Sequence, residues 1–144
     1  MAITVRPAAP HDAERIAILS AHLGYPASSQ DIERRLNLIS QDPGNLVLVA
    51  ELASGLIIGW LHGYLRRILE SEPSVEIAGL VVDENHRGMG AGRLLMEHVE
   101  QWARKCGCSA VTLRSNVIRA QAHEFYKGLG YSIRKSQHSF FKRL

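Results

Sequence analysis

Apolar and polar positions along the chain follow two periods, and the order of these periods predicts the fold. Apolar, β-branched runs with a period of two predict strands at residues 3–8, 46–52, 56–65, 75–82, 110–115, 131–134 and 138–142. Apolar positions three or four residues apart predict helices at residues 12–23, after Ser28, at 92–107 and at 119–129. The order is therefore β-α-α-β-β-β-α-β-α-β-β, which indicates an α/β (α+β) chain.

One stretch, residues 75–92, reads as a buried strand, a short polar turn and the glycine-rich start of a helix. Such a turn leaves several backbone N–H groups unpaired at the positive end of the helix dipole. Gly88, Gly90 and Gly92 carry no Cβ that would hold a ligand away, and Arg87 adds a forked cation. The stretch predicts a phosphate site, although a turn that is glycine-rich for its conformation alone has the same pattern.

The glycine spacing separates this segment from two other phosphate-binding motifs. A Walker loop needs Gly-Lys-Ser/Thr, whereas Arg93 and Leu94 follow the last glycine here. A dinucleotide fingerprint needs G-x-G-x-x-G, whereas this segment is G-x-G-x-G. The segment matches Arg/Gln-x-x-Gly-x-Gly/Ala at Arg87, Gly90 and Gly92. In this it resembles the acetyl-coenzyme A loop of the GNAT superfamily of N-acetyltransferases.

A second segment, RAQAHEFYKGLGY at residues 119–131, extends the resemblance. It is similar to the later superfamily segment in which a short helix with a tyrosine precedes Leu-Gly-Tyr/Phe. The N-terminal half is similar only in its order of elements. The resemblance implies a GNAT fold in a single domain, residues 1–144, with a central mixed, twisted sheet of six to seven strands and about four helices.

The resemblance also implies how acetyl-coenzyme A would bind. In the superfamily the central strand splays from its neighbour at a bulge, and pantetheine pairs with its backbone in the gap. The residues implied for these main-chain contacts are Leu80, Val81 and Val82. Those implied for the pyrophosphate are Arg87, Gly88, Met89, Gly90, Ala91 and Gly92. Asn116 and Arg119 are implied near the tyrosine helix, although many members carry an asparagine at the position of Arg119.

Tyr126 is implied as a cofactor contact and as the general acid of the reaction. The departing thiolate needs a proton, and a phenol with a pKa of about 10 suits an alkyl thiol near 8.5. The alternative is a core tyrosine on a helix face beside Phe125 and Leu129.

Glu76 is implied as the base that removes a proton from the attacking amine, directly or through a water. Strand alternation predicts that it shares a face with Ala78, Leu80 and Val82. The alternative is a solvated glutamate at the end of a strand. His62 and His123 are further candidates for the base, each with a structural or surface role as its alternative.

The function implied is an acetyl-coenzyme A-dependent N-acetyltransferase that acts by direct attack of a small-molecule primary amine. Small-molecule members that acetylate aminoglycosides or aminoalkylphosphonates look most similar. The alternatives are acetylation of a protein N-terminus or lysine, and a coenzyme A-binding sensor without catalysis. Nucleic-acid binding is not expected, because the net charge of +3 comes with no helix-turn-helix or aromatic–basic pattern.

Composition places the chain among soluble globular domains, with 46% hydrophobic and 22% charged residues. It has no apolar run long enough for a membrane span and no signal peptide, so we expect a cytoplasmic protein. Cys106 and Cys108 have no further ligands nearby, so we expect no metal and no disulfide framework. The predicted stripe of the helix before them comprises Leu95, Val99, Trp102 and Cys106.

The predicted closing hairpin, residues 131–134 and 138–142, leaves an edge strand at the end of the chain. Unpaired edges are templates for another chain, so we expect a homodimer.

Overall fold

A computed structural model describes residues 2–114 and 120–144 of the chain. The chain divides into two compact units, Met1–Leu113 and Arg114–Leu144. The strands are β1 Ile3–Pro7, β2 Asn45–Leu52, β3 Ile57–Arg66, β4 Ser74–Val82 and β5 Val111–Leu113. The α-helices are α1 Ala13–His22, α2 Ser29–Ser40, α3 Ala91–Lys105 and α4 Ala120–Gly128.

The first unit contains a mixed sheet in the strand order β1-β2-β3-β4-β5. Successive strands from β1 to β4 pair antiparallel, whereas β4 and β5 pair parallel and are connected through α3. A parallel pair needs such a crossover, because the chain must return to the same end of the sheet. The predicted mixed sheet is confirmed.

The predicted closing hairpin is wrong. Residues 131–144 form no strand, so the described parts of the chain hold five strands rather than six or seven. Every residue from 132 to 144 is exposed, including Phe140 and Phe141. A strand is stable only when a partner satisfies its backbone and a core covers one face, and an isolated hairpin is marginal in water. The homodimer expected from this edge stays a prediction.

Helices cover both faces of the sheet in the first unit. On one face Ile16 and Leu19 of α1 pack with Val49, Ile57 and Val81 in a buried cluster. On the other face lies α3, because a Cβ built on Gly63 would meet the Val99 side chain at 2.9 Å and Val75 at 3.5 Å. The face of β3 and β4 under α3 carries glycine and apolar side chains, whereas the opposite face also carries the polar side chains of His62, Tyr64 and Glu76.

The helix ends follow local chemistry. Ser28 caps α2, where its Oγ accepts the N–H of Asp31 at 3.0 Å, and the helix begins directly after Ser28 as predicted. In α3 the buried stripe is Leu95, Met96, Val99 and Ala103. Cys106 does not belong to it, because it follows the helix as the C-terminal cap and is exposed. Cys108 is the buried cysteine of the pair.

An ion-pair network joins β1, β2 and the start of α1. The Arg6 guanidinium donates to both carboxylate oxygens of Asp12, at 2.8 and 2.9 Å, and to Glu51 at 2.8 Å. The Ala9 N–H also donates to Asp12, at 2.7 Å. Burial alone would raise the pKa of Asp12, but the Arg6 and Ala9 hydrogen bonds outweigh it and hold the pKa below 3.8. The pair therefore stabilises the folded chain only while Asp12 is ionised.

We predict that Asp12→Asn lowers the free energy of unfolding at neutral pH by about 3 kcal/mol. This value is the lower end of the range for removing one partner of a buried ion pair, and we choose it because Glu51 still neutralises Arg6. The folded-state pKa of Asp12 lies below the unfolded value of 3.8, so its stabilisation is present above that pH and is lost as the pH falls through the folded-state pKa. Urea unfolding of both proteins at neutral and strongly acid pH should show that the difference between their free energies of unfolding disappears in acid.

The control for this prediction is Asp31→Asn, since Asp31 pairs with Arg34 at 3.2 Å on the exposed surface of α2. Exposed pairs contribute little, so this change should have a much smaller effect. The prediction would be contradicted if the difference in free energy of unfolding between the parent and Asp12→Asn did not change with pH.

Candidate functional site

The central feature of the site is a β-bulge in β4. His62 pairs with Gly79 and Gly63 with Ile77, so Ala78 is an extra residue without a partner in β3. The alternation along β4 is therefore reset at this point. The predicted common face of Glu76, Ala78, Leu80 and Val82 is wrong.

Glu76 instead shares its face with Gly79 and Val81. Their partners in β3 are Tyr64, His62 and Trp60, respectively. These partners occupy alternate positions of β3, and residues at alternate positions of a strand lie on the same face of the sheet. Leu80 and Val82 lie on the opposite face, which α3 covers. The bulge implied by the resemblance is present, and in the described residues the pairing of β4 with β5 stops at Ile77, just before it.

Glu76 is held among polar side chains within the sheet. Its carboxylate accepts a hydrogen bond from the Tyr64 hydroxyl and lies 3.9 Å from Nε of Arg66. The side chain is only 12% exposed, so it is not a solvated glutamate at a strand end. A buried carboxylate with such contacts keeps a fixed position, which a general base requires.

His62 lies on the same face of β3, two residues before Tyr64. Its Nε2 is 2.8 Å from Oδ1 of Asn45, and this amide oxygen accepts, so Nε2 carries the proton. Burial lowers the pKa of His62 below 6.5, which favours the neutral ring at neutral pH. Sequence reasoning named His62 only as a further candidate and missed Tyr64, although the alternation Trp60-x-His62-x-Tyr64 places all three on one face.

The glycine loop adopts the conformation that its sequence predicts. Gly88 and Gly90 have φ of +81° and +90°, the left-handed region, and Gly90 is the N-cap of α3. No described atom lies within 4 Å of a Cβ built on either glycine. The first N–H groups of an α-helix have no partner within the helix, and the first turn of α3 carries no acidic residue. The loop is therefore open, and its electrostatics favour an anion.

A second buried carboxylate stands where β4 ends and this loop begins. Asp83 accepts hydrogen bonds from Nη2 of Arg15 at 2.8 Å, from Nδ1 of His86 at 3.1 Å and from the N–H of Asn85 at 3.2 Å. Burial alone would raise its pKa, but these hydrogen bonds and the Arg15 charge hold the pKa below 3.8. No motif in the sequence pointed to Asp83.

Tyr126 lies in the second unit, on α4. Its ring makes edge-to-face contacts with Phe125, at a centroid distance of 5.2 Å, and with Tyr131, at 6.1 Å. The Tyr131 N–H donates to the Tyr126 carbonyl at 3.0 Å. Gly130 has φ of +94°, which explains the glycine in the Leu-Gly-Tyr segment. Asn116 and Arg119, the other predicted residues near this helix, lie outside the described residues.

Residues 2–114 and 120–144, the described ranges, lack two further kinds of feature. They hold no group of three or more His, Cys, Asp and Glu side chains placed to bind a metal. None of their helices has the length and apolar character needed to cross a bilayer.

Comparison with known proteins connects this geometry to one family. The model of the acetyltransferase (GNAT) family matches residues 13–131. An aminoglycoside N(6')-acetyltransferase type 1 of Stenotrophomonas maltophilia is 31% identical over 132 residues, which cover 89% of this chain and 85% of that protein.

Solved structures share the fold over the whole chain. An aminoglycoside antibiotic 6'-N-acetyltransferase from Acinetobacter baumannii superposes with a TM-score of 0.86, at 18% identity and 99% coverage of both chains. A GNAT family acetyltransferase of Staphylococcus aureus has a TM-score of 0.78, at 26% identity and 100% coverage of both.

We predict that the bulge depends on Gly79. A Cβ at this position would lie 2.7 and 2.9 Å from two carbons of the Trp60 ring, so Gly79→Ala should destabilise the protein by about 1–3 kcal/mol through overpacking. In a Trp60→Leu background the same change should cost less, because the obstructing ring is gone. Urea unfolding of the parent, both single variants and the double variant measures this coupling, and additive effects would contradict it.

Proposed function

The chain belongs to the GNAT family of acetyltransferases, and we propose that it transfers an acetyl group from acetyl-coenzyme A to a primary amine of a small molecule. The observation that carries this proposal is the open glycine loop at the N-terminus of α3, which a short 3₁₀ turn connects to a bulged, buried strand with an internal carboxylate.

The loop fits a pyrophosphate by its own geometry. The left-handed Gly88 and Gly90 turn the chain into α3, and side chains at these positions would occupy the open space in front of the loop. We assign the pyrophosphate to the backbone N–H groups of residues 88–92 and the guanidinium of Arg87, with Met89 and Ala91 contributing main chain only. The backbone of Leu80, Val81 and Val82 would pair with the pantetheine arm.

The proposed mechanism is direct attack of the amine on the thioester. Glu76 accepts a proton from the ammonium, directly or through a water, because only the neutral amine has a lone pair to attack. The amine nitrogen bonds to the acetyl carbon while a backbone N–H of Leu80–Val82 donates to the thioester oxygen as it gains charge. The carbon–sulfur bond then breaks, and Tyr126 donates its phenolic proton to the departing thiolate. The nitrogen loses its second proton through water to the Tyr126 phenolate, and Glu76 releases its proton to solvent.

The proposed acceptor is a small amine of the aminoglycoside kind. This choice rests on the aminoglycoside acetyltransferase from Stenotrophomonas maltophilia, which this chain resembles over most of the length of both proteins. We place the reaction in the cytoplasm, because the free thiols of Cys106 and Cys108 suit a reducing compartment. A homodimer is part of the proposal, and sedimentation that shows only monomer at micromolar concentration would remove that part.

We predict that Gly90→Glu abolishes binding of acetyl-coenzyme A, because it places a side chain and a negative charge where the phosphates approach. Gly107→Glu is the matched control: Gly107 also has a left-handed φ, +79° against +90°, and an added Cβ also meets no described atom, but it follows the opposite end of α3. Titration calorimetry on both folded variants should show binding only for Gly107→Glu. Binding by Gly90→Glu at the parent's affinity would contradict the assignment of the loop.

We further predict that two variants separate the acid from the base. Tyr126→Phe deletes only the proton donor, so cofactor affinity should survive while kcat falls by roughly 10²–10⁴-fold at all pH values. Glu76→Gln should act mainly at low pH, where the amine still carries its proton, and a higher pH should partly restore its activity. The pH–rate profiles with an aminoglycoside acceptor measure both effects. Profiles of the parent's shape for both variants would contradict these roles.

A further inference from the structure

We propose that Asp83 is a positioning residue for the pyrophosphate loop. Together with Arg15 and His86 it forms a cluster that we name the Asp83 bracket, and this cluster fixes the loop in the shape that binds acetyl-coenzyme A. The proposal rests on the proposed function, because it assigns the loop to that ligand.

The bracket fastens the start of the loop to two elements of the sheet unit. Arg15, on α1, donates from Nη2 to Asp83 at 2.8 Å and from Nε to the Ile57 carbonyl of β3 at 2.8 Å. The Asp83 N–H donates to the Ile58 carbonyl at 2.8 Å. The last residue before the loop is therefore held by α1 and β3 at once.

The same carboxylate also shapes the loop itself. It accepts the N–H of Asn85 at 3.2 Å and Nδ1 of His86 at 3.1 Å, while the His86 N–H donates to the Asp83 carbonyl at 2.9 Å. A carboxylate only accepts, so Nδ1 of His86 carries the proton whether the ring is neutral or charged. These contacts make the short 3₁₀ turn Glu84–His86, from which the chain passes through Arg87 into Gly88.

The loop needs such support because its glycines supply none. Gly88 and Gly90 have no side chains that could hold their backbone, and glycine loses the most conformational freedom on ordering. The N–H groups that bind phosphate must nevertheless keep a fixed direction, since a small displacement of a binding group weakens binding strongly. The Asp83 bracket restrains the backbone at the N-terminal start of the loop and so limits the conformations that the glycines can adopt.

A matched carboxylate elsewhere in the chain separates positioning from stability. Asp12 and Asp83 are both buried, with side chains 2% and 6% exposed, and each pairs with an arginine at 2.8 Å and accepts a backbone N–H. Asp12 instead bonds to Arg6 of β1 and to the N–H of Ala9, ahead of α1. Asp12→Asn and Asp83→Asn therefore each remove one buried, arginine-paired carboxylate, at two different places in the fold.

The first test measures acetyl-coenzyme A by calorimetry and by steady-state kinetics on the folded proteins. Asp83→Asn should raise Kd and KM for acetyl-coenzyme A by roughly 10-fold to 100-fold while kcat at saturation stays close to the parent's. Asp12→Asn should leave both constants near the parent's values. Equal Kd values for Asp83→Asn and Asp12→Asn would overturn the proposal.

A second measurement needs no ligand. Amide hydrogen exchange in residues 84–92 should accelerate in Asp83→Asn and stay at the parent's rate in Asp12→Asn. If Asp83→Asn does not fold, Arg15→Lys replaces it, because lysine keeps the charge but lacks the fork that joins Asp83 to Ile57. Unchanged exchange in the loop would overturn the bracket even where the parent binds acetyl-coenzyme A. A parent that does not bind acetyl-coenzyme A while its loop exchange still depends on Asp83 would instead overturn the proposed function.

Discussion

The extra residue at Ala78 is the constraint on which the candidate site depends. Without the bulge, regular alternation would place Glu76 on the same face as Leu80 and Val82, against α3. With it, Glu76 lies on the face of Tyr64 and His62, while Leu80 and Val82 stay on the face that α3 covers. The same bulge follows directly on the last described pair between β4 and β5. A single added residue therefore decides both where the carboxylate points and where the parallel pairing ends.

The bulge also explains the glycine and the tryptophan next to it. A side chain at residue 79 would collide with the Trp60 ring, so the large ring of β3 covers the backbone where β4 departs from regular geometry. The sequence Ala-Gly-Leu at 78–80 contains this information, because an isolated glycine inside a strand pattern indicates a bulge or a close backbone approach.

The sequence predicted well those features that several neighbouring residues determine together. The order of elements as far as the tyrosine helix, the Ser28 cap and the glycine loop each rest on several neighbouring residues, and the structure contains all three. What it predicted badly depends on partners distant in sequence. Cys106 fits the apolar period but lies beyond the end of its helix, and residues 131–142 alternate like strands yet form none. Asp83 carries no motif, because its role comes from Arg15, which is 68 residues away.

The two buried ion pairs illustrate why such residues escape sequence patterns. A buried carboxylate is costly unless a cation and hydrogen-bond donors surround it, so its stabilising effect on the whole chain is small compared with an apolar side chain of the same volume. Its advantage is directional: several donors converge on one carboxylate and fix the backbone that carries them. Asp12 fixes the start of α1 against β1 and β2, where a rigid frame suffices. Asp83 fixes the chain where it leaves β4, at the start of the loop whose glycines cannot hold their own conformation. The same arrangement of charge therefore maintains the sheet in one place and, in the other, supports the loop that is open to an anion.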